Sequence, residues 1–404
     1  MANGYDTAVV GAGILGLAVA RELLARRPGE RVVVLEQADI VGAHQTSHNS
    51  GVIHAGVYYA PGSLKARLCV DGAARMYEYC ERRGVDVQRI GKLIIATSAR
   101  ELAALDDLET RARANGVPGI RRLSAQEIAE IEPHATGVAA LHSPATGIVD
   151  FGAVCERMSD DIRAAGAELR LGCRVDDVRV AGRAIRLVGA GGDGVEASRA
   201  IFCAGLWSDR LAVRAGAPAD PRILPFRGGY LRLRADRRAL VRGLIYPVPD
   251  PALPFLGVHL TPRVDGEVLV GPSALLVASR AAYRLGTVEP SDVRDTVMWP
   301  GTWRMAARWW RTGVNEMYLA ASRAAFAKLA ARYVPGLQGQ DMEAGPAGVR
   351  AQAVARDGRL VDDFVLSTTP RAVHVRNAPS PAATSSLALA ERIVDTAEHE
   401  LGSL

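Results

Sequence analysis

Lysine is almost missing from this sequence. Only Lys65, Lys92 and Lys328 occur, so 46 of the 49 basic residues are arginine. The arginines are scattered among 44 acids and leave a net charge of +5. No basic block or nucleic-acid motif stands out, which argues against a nucleic-acid partner. A mildly basic surface still suits acidic substrates and anionic membranes. Cysteine is scarce too: Cys69, Cys80, Cys155, Cys173 and Cys203, an odd number with no CxxC pair. That excludes a disulfide framework, and with no secretory leader or transit segment ahead of Tyr5 the expected compartment is the reducing cytosol. Aromatic residues make up only 5% of the chain. The longest stretch free of Asp, Glu, Lys and Arg, Ile40 to Leu64, carries His44, Gln45, His48, Asn49 and His54, too polar for a membrane span. What is present is globular: 404 residues, 49% hydrophobic and 23% charged, enough for two domains or one domain with insertions.

The apolar pattern predicts a strand at Tyr5–Val10, a glycine turn, an amphipathic helix over Leu17–Arg27 and a second strand at Arg31–Glu36. Helices are expected at Ser63–Arg83, Ala99–Ala114, Ser124–Glu130 and Phe151–Ala165, the third with Ser124 and Glu127 in capping-box spacing. Glu168–Val180 and Ala184–Val188 read as strands, with a hairpin turn over Gly189–Gly194. From Pro221 to about Tyr283 the pattern turns antiparallel, with strands such as Tyr230–Arg234, Leu244–Val248 and Glu267–Val270. Helical periodicity returns near Trp303, and Thr384–Glu398 reads as a last helix, with Thr384 its N-cap. The expected fold class is α/β with an α+β insert: a Rossmann-like nucleotide-binding domain carrying an antiparallel-sheet substrate domain. Residues 1–88, 150–220 and 341–404 are assigned to the first, 89–149 and 221–340 to the second.

Gly11-Ala12-Gly13-Ile14-Leu15-Gly16 is G-x-G-x-x-G between a predicted strand and a predicted helix. Gly11 makes the tight turn, Gly13 lets the backbone approach a pyrophosphate at the helix N-terminus, and Gly16 allows close helix–strand packing. Glu36 follows Gly16 by 20 residues, where a carboxylate accepts from the ribose hydroxyls of an adenosine. An acid there disfavours NADP. The motif by itself leaves FAD and NAD open.

Three of the eight histidines fall between His44 and His54. The acidic and thiol ligands of a metal site are missing nearby and the spacing is not that of a zinc helix, so no metal is expected. Val52-Ile53 is too apolar for a solvent loop. The better reading is a loop that runs beneath a redox cofactor ring and ends with His54 at the reacting face.

The stretch His44–Gly72, with GVIHAGVYYAPGSLKARLCVDG inside it, resembles the L-2-hydroxyglutarate dehydrogenase/oxidase family, part of the D-amino-acid-oxidase-like FAD superfamily. The resemblance continues in order through Thr146–Asp150, Pro225–Tyr230, Ile245–Pro249, Pro254–His259, Gly345–Gln352 and Arg376–Ser386. Ser47 stands where Gly is expected and Ala60 where Lys is expected. The resemblance implies FAD as cofactor. It places the cofactor against Gly11, Gly13, Ile14, Leu15, Gly16, Glu36 and Gln37. The polar loop adds Gln45, Thr46, Ser47, Asn49, Ser50, Gly51 and Val52, and later segments add Val175, Ala204, Gly205 and Pro381, Ala382, Ala383 and Thr384. The turn before the last helix is expected to aim a helix N-terminus at the flavin pyrimidine edge.

A guanidinium forks onto a carboxylate, and relatives that oxidise amino acids hold the α-carboxylate with an Arg at the point matching Arg350. Lys65 and Arg263 are further candidates for carboxylates, Tyr246 and His259 for acid–base work, and Arg227 for the pocket or a buried ion pair. His54 is preferred over His259 as the base, since its segment reaches the cofactor. The function this implies is FAD-dependent oxidation of L-2-hydroxyglutarate to 2-oxoglutarate. The alternative is oxidation of another L-2-hydroxy acid or of an α-amino acid on the same fold. With no Cys after Cys203, a cysteinyl flavin link in the C-terminal half is impossible, and dissociable FAD is expected. Oxygen, quinone and electron-transfer flavoprotein are all open as acceptors. Gly301–Arg311 reads as a short amphipathic helix with Trp303 and Trp310 on one face and Arg304, Arg308 and Arg311 on the other. The tryptophans are expected to pack into the substrate domain, leaving at most a weak, salt-sensitive peripheral association with a membrane.

Overall fold

The computed structural model describes residues 4–189, 191–192, 194–250 and 256–402. The expected turn over Gly189–Gly194 and the Pro254–His259 block lie partly outside these residues.

Val, Ile and Leu runs buried on both faces form a parallel sheet core. Tyr5–Val10 lies between Val32–Leu35 and Gly194–Phe202, parallel to both, and Glu168–Arg170 extends the sheet beyond Val32–Leu35. Ala372–Asn377 pairs parallel with the second half of Gly194–Phe202, while Asp177–Ala181 and Ala184–Val188 add an antiparallel edge. This eight-stranded sheet collects its strands from three separated stretches of chain. The helix Ile14–Arg26 packs against the helices Phe151–Ala164 and Ser386–Leu401, so the first and last helices share one core.

A nine-stranded sheet takes strands from 92–143 and 222–354. Lys92–Ala96 runs parallel to Leu244–Pro247, which pairs antiparallel with His259–Pro262. The longest strand, Met342–Val354, pairs along nearly all of Arg222–Leu233. A three-stranded sheet of Val52–Ile53, Val87–Gln88 and Gly147–Val149 forms a third, smaller layer. The architecture is thus the expected α/β one.

Four expectations are corrected. Glu168–Val180 is two strands, because the chain leaves the sheet between Arg170 and Asp177, where Cys173 to Asp176 line a cavity. The sequence pattern shows no strand at Met342–Val354, where Gly345, Pro346 and Gly348 interrupt it, yet the strand forms. Gly348 instead permits close approach, because a Cβ there would overlap the His48 carbonyl oxygen. Thr384 is not the N-cap of the last helix, which spans Ser386–Leu401 with Ser385 at its N-cap. The fourth concerns Gly301–Arg311, which is part of a longer helix, Pro300–Ala321. Only Trp299 is buried; Trp303 and Trp310 are 61% and 59% exposed.

Candidate active site

One long cavity of about 1070 Å³ runs between the two larger sheets. It exceeds the usual ~300–1,000 Å³ of a small-ligand pocket, room for a dinucleotide and a small acid together. Its first end is built by the glycine turn. Gly11 has φ +105°, and a Cβ on Gly16 would overlap the Gly11 carbonyl oxygen, so this helix can approach this strand only without side chains there. No side chain caps the helix at Gly13, which leaves its positive end to an anion. Glu36 is buried at the end of its strand and accepts from Ala12 N at 2.7 Å and Ala38 N at 2.9 Å. A carboxylate has about four acceptor sites, so it can still receive ribose hydroxyls. Thr46 Oγ1 accepts from Ile14 N at 3.1 Å and fastens the polar loop to the helix start. These residues fit an FAD: a cradle for pyrophosphate, an acid for the adenosine, and an elongated cavity leading away from both.

Of the sequence-nominated cofactor residues, Gly11, Gly13, Ile14, Leu15, Glu36, Gln37, Gln45, Thr46, Asn49, Ser50, Val52, Val175, Ala204, Gly205 and Pro381 to Thr384 line the cavity. Gly16, Ser47 and Gly51 do not. Gly16 packs on the Gly11 turn, Ser47 is exposed with its hydroxyl toward Gly42 and Gly152, and Gly51 turns the chain against Val149. Thr384 is fully buried; its Oγ1 accepts from His54 N at 3.1 Å and donates to Val52 O at 3.3 Å. The last turn before the final helix is thereby clasped to the polar loop.

The second end of the cavity is walled by His54, Tyr58, Tyr59, Lys65, Tyr230, Tyr246, His259 and Arg350. His259, 6% exposed, opens its strand and stacks on the Tyr246 ring with centroids 4.1 Å apart. His259 Nδ1 lies 2.9 Å from Gly257 O. A carbonyl only accepts, so in the neutral ring the proton sits on Nδ1 and Nε2 is left as an acceptor. Burial drives His259 down to about 3; the Gly257 bond opposes this, and the Arg350 and Lys92 charges add to it. His54 is also held well below the ordinary value, by burial and then by Lys92, His259 and Lys65. Its buried Nδ1 has no partner among the described residues, and its Nε2 lies 3.5 Å from Ser380 Oγ. Both imidazoles are neutral at pH 7.

Arg350 sits on the long strand opposite Phe226, beside the Tyr230 phenol. Lys65 is buried and bonds Asp362 Oδ1 at 2.9 Å, its Nζ 5.1 Å from the Tyr59 ring centre. Arg263 does not line the cavity; its guanidinium pairs with Asp265 at 3.3 Å in the adjoining turn. Arg227 bonds the Tyr283 carbonyl through Nε and Nη2, both at 3.3 Å, and likewise stays out of the wall. Sequence reasoning missed Tyr58, Tyr59 and Tyr230 in the wall, and Lys92 behind it. The adjacent Tyr58-Tyr59 pair, in a chain with so few aromatics, was the available signal.

Comparison with known proteins agrees with this geometry. A family model described as FAD dependent oxidoreductase matches residues 6–396. The chain is 44% identical to the mitochondrial L-2-hydroxyglutarate dehydrogenase of Caenorhabditis elegans, covering 97% of this chain and 93% of that one. It is 42% identical to the human mitochondrial enzyme of the same name, covering 97% and 88%, and 39% identical to L-2-hydroxyglutarate dehydrogenase of Indibacter alkaliphilus, covering 97% and 98%. Among solved structures, dithionite-reduced L-alpha-glycerophosphate oxidase from Mycoplasma pneumoniae with FAD bound superposes with a TM-score of 0.80 at 22% identity, covering 97% of this chain and 94% of that one. Glycine oxidase from Geobacillus kaustophilus gives 0.72 at 22% identity, covering 99% and 96%. The structural likenesses speak for the fold. With the family model matching nearly end to end and the relatives aligned over 97% of its length, the chain belongs to the FAD dependent oxidoreductases and, within them, to the L-2-hydroxyglutarate dehydrogenase family.

Proposed function

We propose that the chain oxidises L-2-hydroxyglutarate to 2-oxoglutarate, with FAD along the cavity and the substrate at the end walled by His54, Tyr246, His259 and Arg350. The observation that carries this reading is the meeting, in one cavity, of a dinucleotide cradle with a guanidinium and an acceptor-only imidazole. Arg350 takes the α-carboxylate in a planar fork and so fixes Cα. His259 Nε2 cannot donate to a carboxylate while the ring is neutral. The group it can meet is the substrate hydroxyl, whose proton it takes as general base. When bound, FAD supplies the acceptor for the hydride leaving Cα. Tyr246 keeps the imidazole plane by stacking, and Lys65 closes the mouth with Asp362. His54 is the second candidate for the base, on the strength of its unpartnered Nδ1. Glu36 holds the adenosine ribose and the helix start at Gly13 the pyrophosphate. In domain terms, we assign 1–88, 150–220 and 355–404 to the cofactor and the rest to the substrate, moving Met342–Val354 to the sheet it pairs in.

The deciding experiment is anaerobic reduction of the purified flavoprotein by L- and D-2-hydroxyglutarate, L-lactate, L-malate and L-glutamate. L-2-hydroxyglutarate should bleach the flavin and the D-isomer should not, since one carboxylate clamp and one base define a single face. Faster bleaching by L-glutamate or L-lactate would move the substrate to an amino acid or another hydroxy acid. Neither of two further points alters the chemistry. The five unbridged cysteines suit a reducing compartment. No helix among the described residues is long and apolar enough to cross a membrane. The Pro300–Ala321 helix, kinked at Trp309, nevertheless exposes Trp303 before the kink and Trp310, Val314, Met317 and Tyr318 after it, with Arg304, Arg308 and Arg311 exposed as well. We infer a reversible, salt-sensitive contact with an anionic bilayer, which would bring a quinone acceptor within reach.

A further inference from the structure

Behind the aromatic wall at the substrate end lies a charge that the proposed chemistry does not use. Lys92 opens the strand Lys92–Ala96 and is 2% exposed. Its Nζ lies 4.4 Å from the centre of the Tyr246 ring and 5.2 Å from that of Tyr58. Both rings line the cavity, and Tyr246 carries His259 stacked on it. Lys65, the other lysine near the cavity, has its carboxylate in Asp362. Among the described residues Lys92 forms no ion pair with a carboxylate; ring faces are its charge-stabilising neighbours.

A buried ammonium without a counter-ion is costly, and burial pushes Lys92 down to about 7. Of the groups around it only Cys69 opposes the effect of burial. The loop presents His54 and Tyr58, the helix Leu64–Arg83 presents Cys69 and Lys65, the neighbouring strands present Tyr246, His259 and Arg350, and Ser143 faces it in register. Lys65 and Arg350 carry the same sign and offer it no counter-charge. The imidazoles are held low, the phenols high, and the Cys69 thiol is pushed up to about 12, so none of these supplies a negative charge near pH 7. The counter-charge has to come from the cavity.

We propose that Lys92 is a positioning residue whose ammonium acquires its counter-charge only when a dicarboxylate fills the cavity, so that it favours two carboxylates over one through the Tyr246–Tyr58 wall. This rests on the dicarboxylate reading above. It makes binding and protonation one linked event: the dianion draws a proton onto Lys92, and loss of that proton weakens the dianion's hold. It acts across rings instead of by direct contact, so it adds selectivity without occupying space that the substrate needs.

The test uses the FAD-loaded wild type, Lys92→Met and Lys92→Arg, with 2-oxoglutarate and the monocarboxylate 2-oxobutyrate as probes. Kd is read from the flavin absorbance perturbation between pH 6 and 8.5, an interval in which the neighbouring histidines and tyrosines do not titrate. For wild type, Kd for 2-oxoglutarate should rise roughly tenfold with pH as Lys92 loses its proton. Lys92→Arg should bind tightly and without pH dependence, since a guanidinium stays charged. Lys92→Met should bind weakly and also without pH dependence. Kd for 2-oxobutyrate should barely differ among the three. A wild-type rise that persists in Lys92→Arg would overturn the proposal, even if Lys92→Met fails to fold. So would Lys92→Met with an unchanged, pH-dependent Kd. A wild type that binds 2-oxoglutarate but is not reduced by L-2-hydroxyglutarate would sink the functional reading alone. A wild-type Kd that is flat with pH would sink the Lys92 proposal alone.

Discussion

A general base that is a histidine ordinarily fails as the solution becomes acid, and here it should not. The perturbation is a shift from pH 7.5 to 5.5. At the reference imidazole value of about 6.5, only about 9% of the rings would be neutral at pH 5.5, and kcat/KM would fall roughly tenfold. His259 is held at about 3 by burial, with the Arg350 and Lys92 charges adding to it. With that value more than about 99% of the rings are neutral at pH 5.5, so protonation of the base does not slow the reaction over this interval. The sign follows from a depressed value: the neutral, competent form is present above the folded-state pKa and is lost only when pH falls through it. Below pH 7 Lys92 also gains charge, so kcat/KM for a dianionic substrate should hold or rise slightly. The assay is anaerobic stopped-flow flavin reduction by L-2-hydroxyglutarate, with kcat/KM taken from the slope at low substrate. His259→Ala should lower it by roughly 10²–10⁴-fold throughout. A tenfold wild-type decline centred near pH 6.5, with FAD content unchanged, would refute the reasoning. If His54→Ala gives the large loss and His259→Ala does not, the base is His54.

Three other outcomes are expected. Arg350→Lys keeps the charge and loses the fork, and steady-state kinetics should show kcat/KM down roughly 10–100-fold; unchanged kinetics would remove Arg350 from the site. Gly16→Ala forces a methyl against the Gly11 carbonyl, a backbone clash costing about 3 kcal/mol, so FAD affinity measured by fluorescence titration should weaken about 100-fold. Sedimentation with anionic vesicles at low salt should carry the wild type down and leave a Trp303→Ser, Arg308→Glu variant in solution with its FAD retained. No wild-type binding at low salt would point to oxygen or a soluble electron-transfer flavoprotein as acceptor.

What was legible in the sequence follows the range over which each signal acts. The strand, glycine turn, helix and Glu36 lie within one short stretch, and local periodicity with a fixed spacing suffices to place them. The capping box at Ser124 and Glu127 is equally local, and it is present in both directions. The strand Met342–Val354 was not legible, because Gly345 and Gly348 are there for what crosses them, which only the tertiary structure supplies. Arg263 and Arg350 look alike as sequence; Asp265, two residues on, takes the first, while strand register delivers the second to the cavity. Lys92 carried no motif at all. Its interest lies in the rings that enclose it, and those come from residues 58 and 246. The exposed face of Pro300–Ala321 was misjudged because amphipathicity says that a helix has two faces, not which one meets the protein.

The clasp between Thr384 and the loop at Val52 and His54 has a consequence for how the protein is made. It joins positions 332 and 330 residues apart, near opposite ends of the chain. During synthesis the glycine turn emerges long before the wall that Pro381 to Thr384 contribute. The cofactor chamber therefore has all its walls only once that late segment has been made, and flavin can be held along the whole cavity only from then on. Shortening the protein by its last helix and clasp would not trim a tail; it would remove a wall of the chamber. A chain stopped before Pro381, purified and given FAD, should remain colourless after dialysis, while the full chain turns yellow.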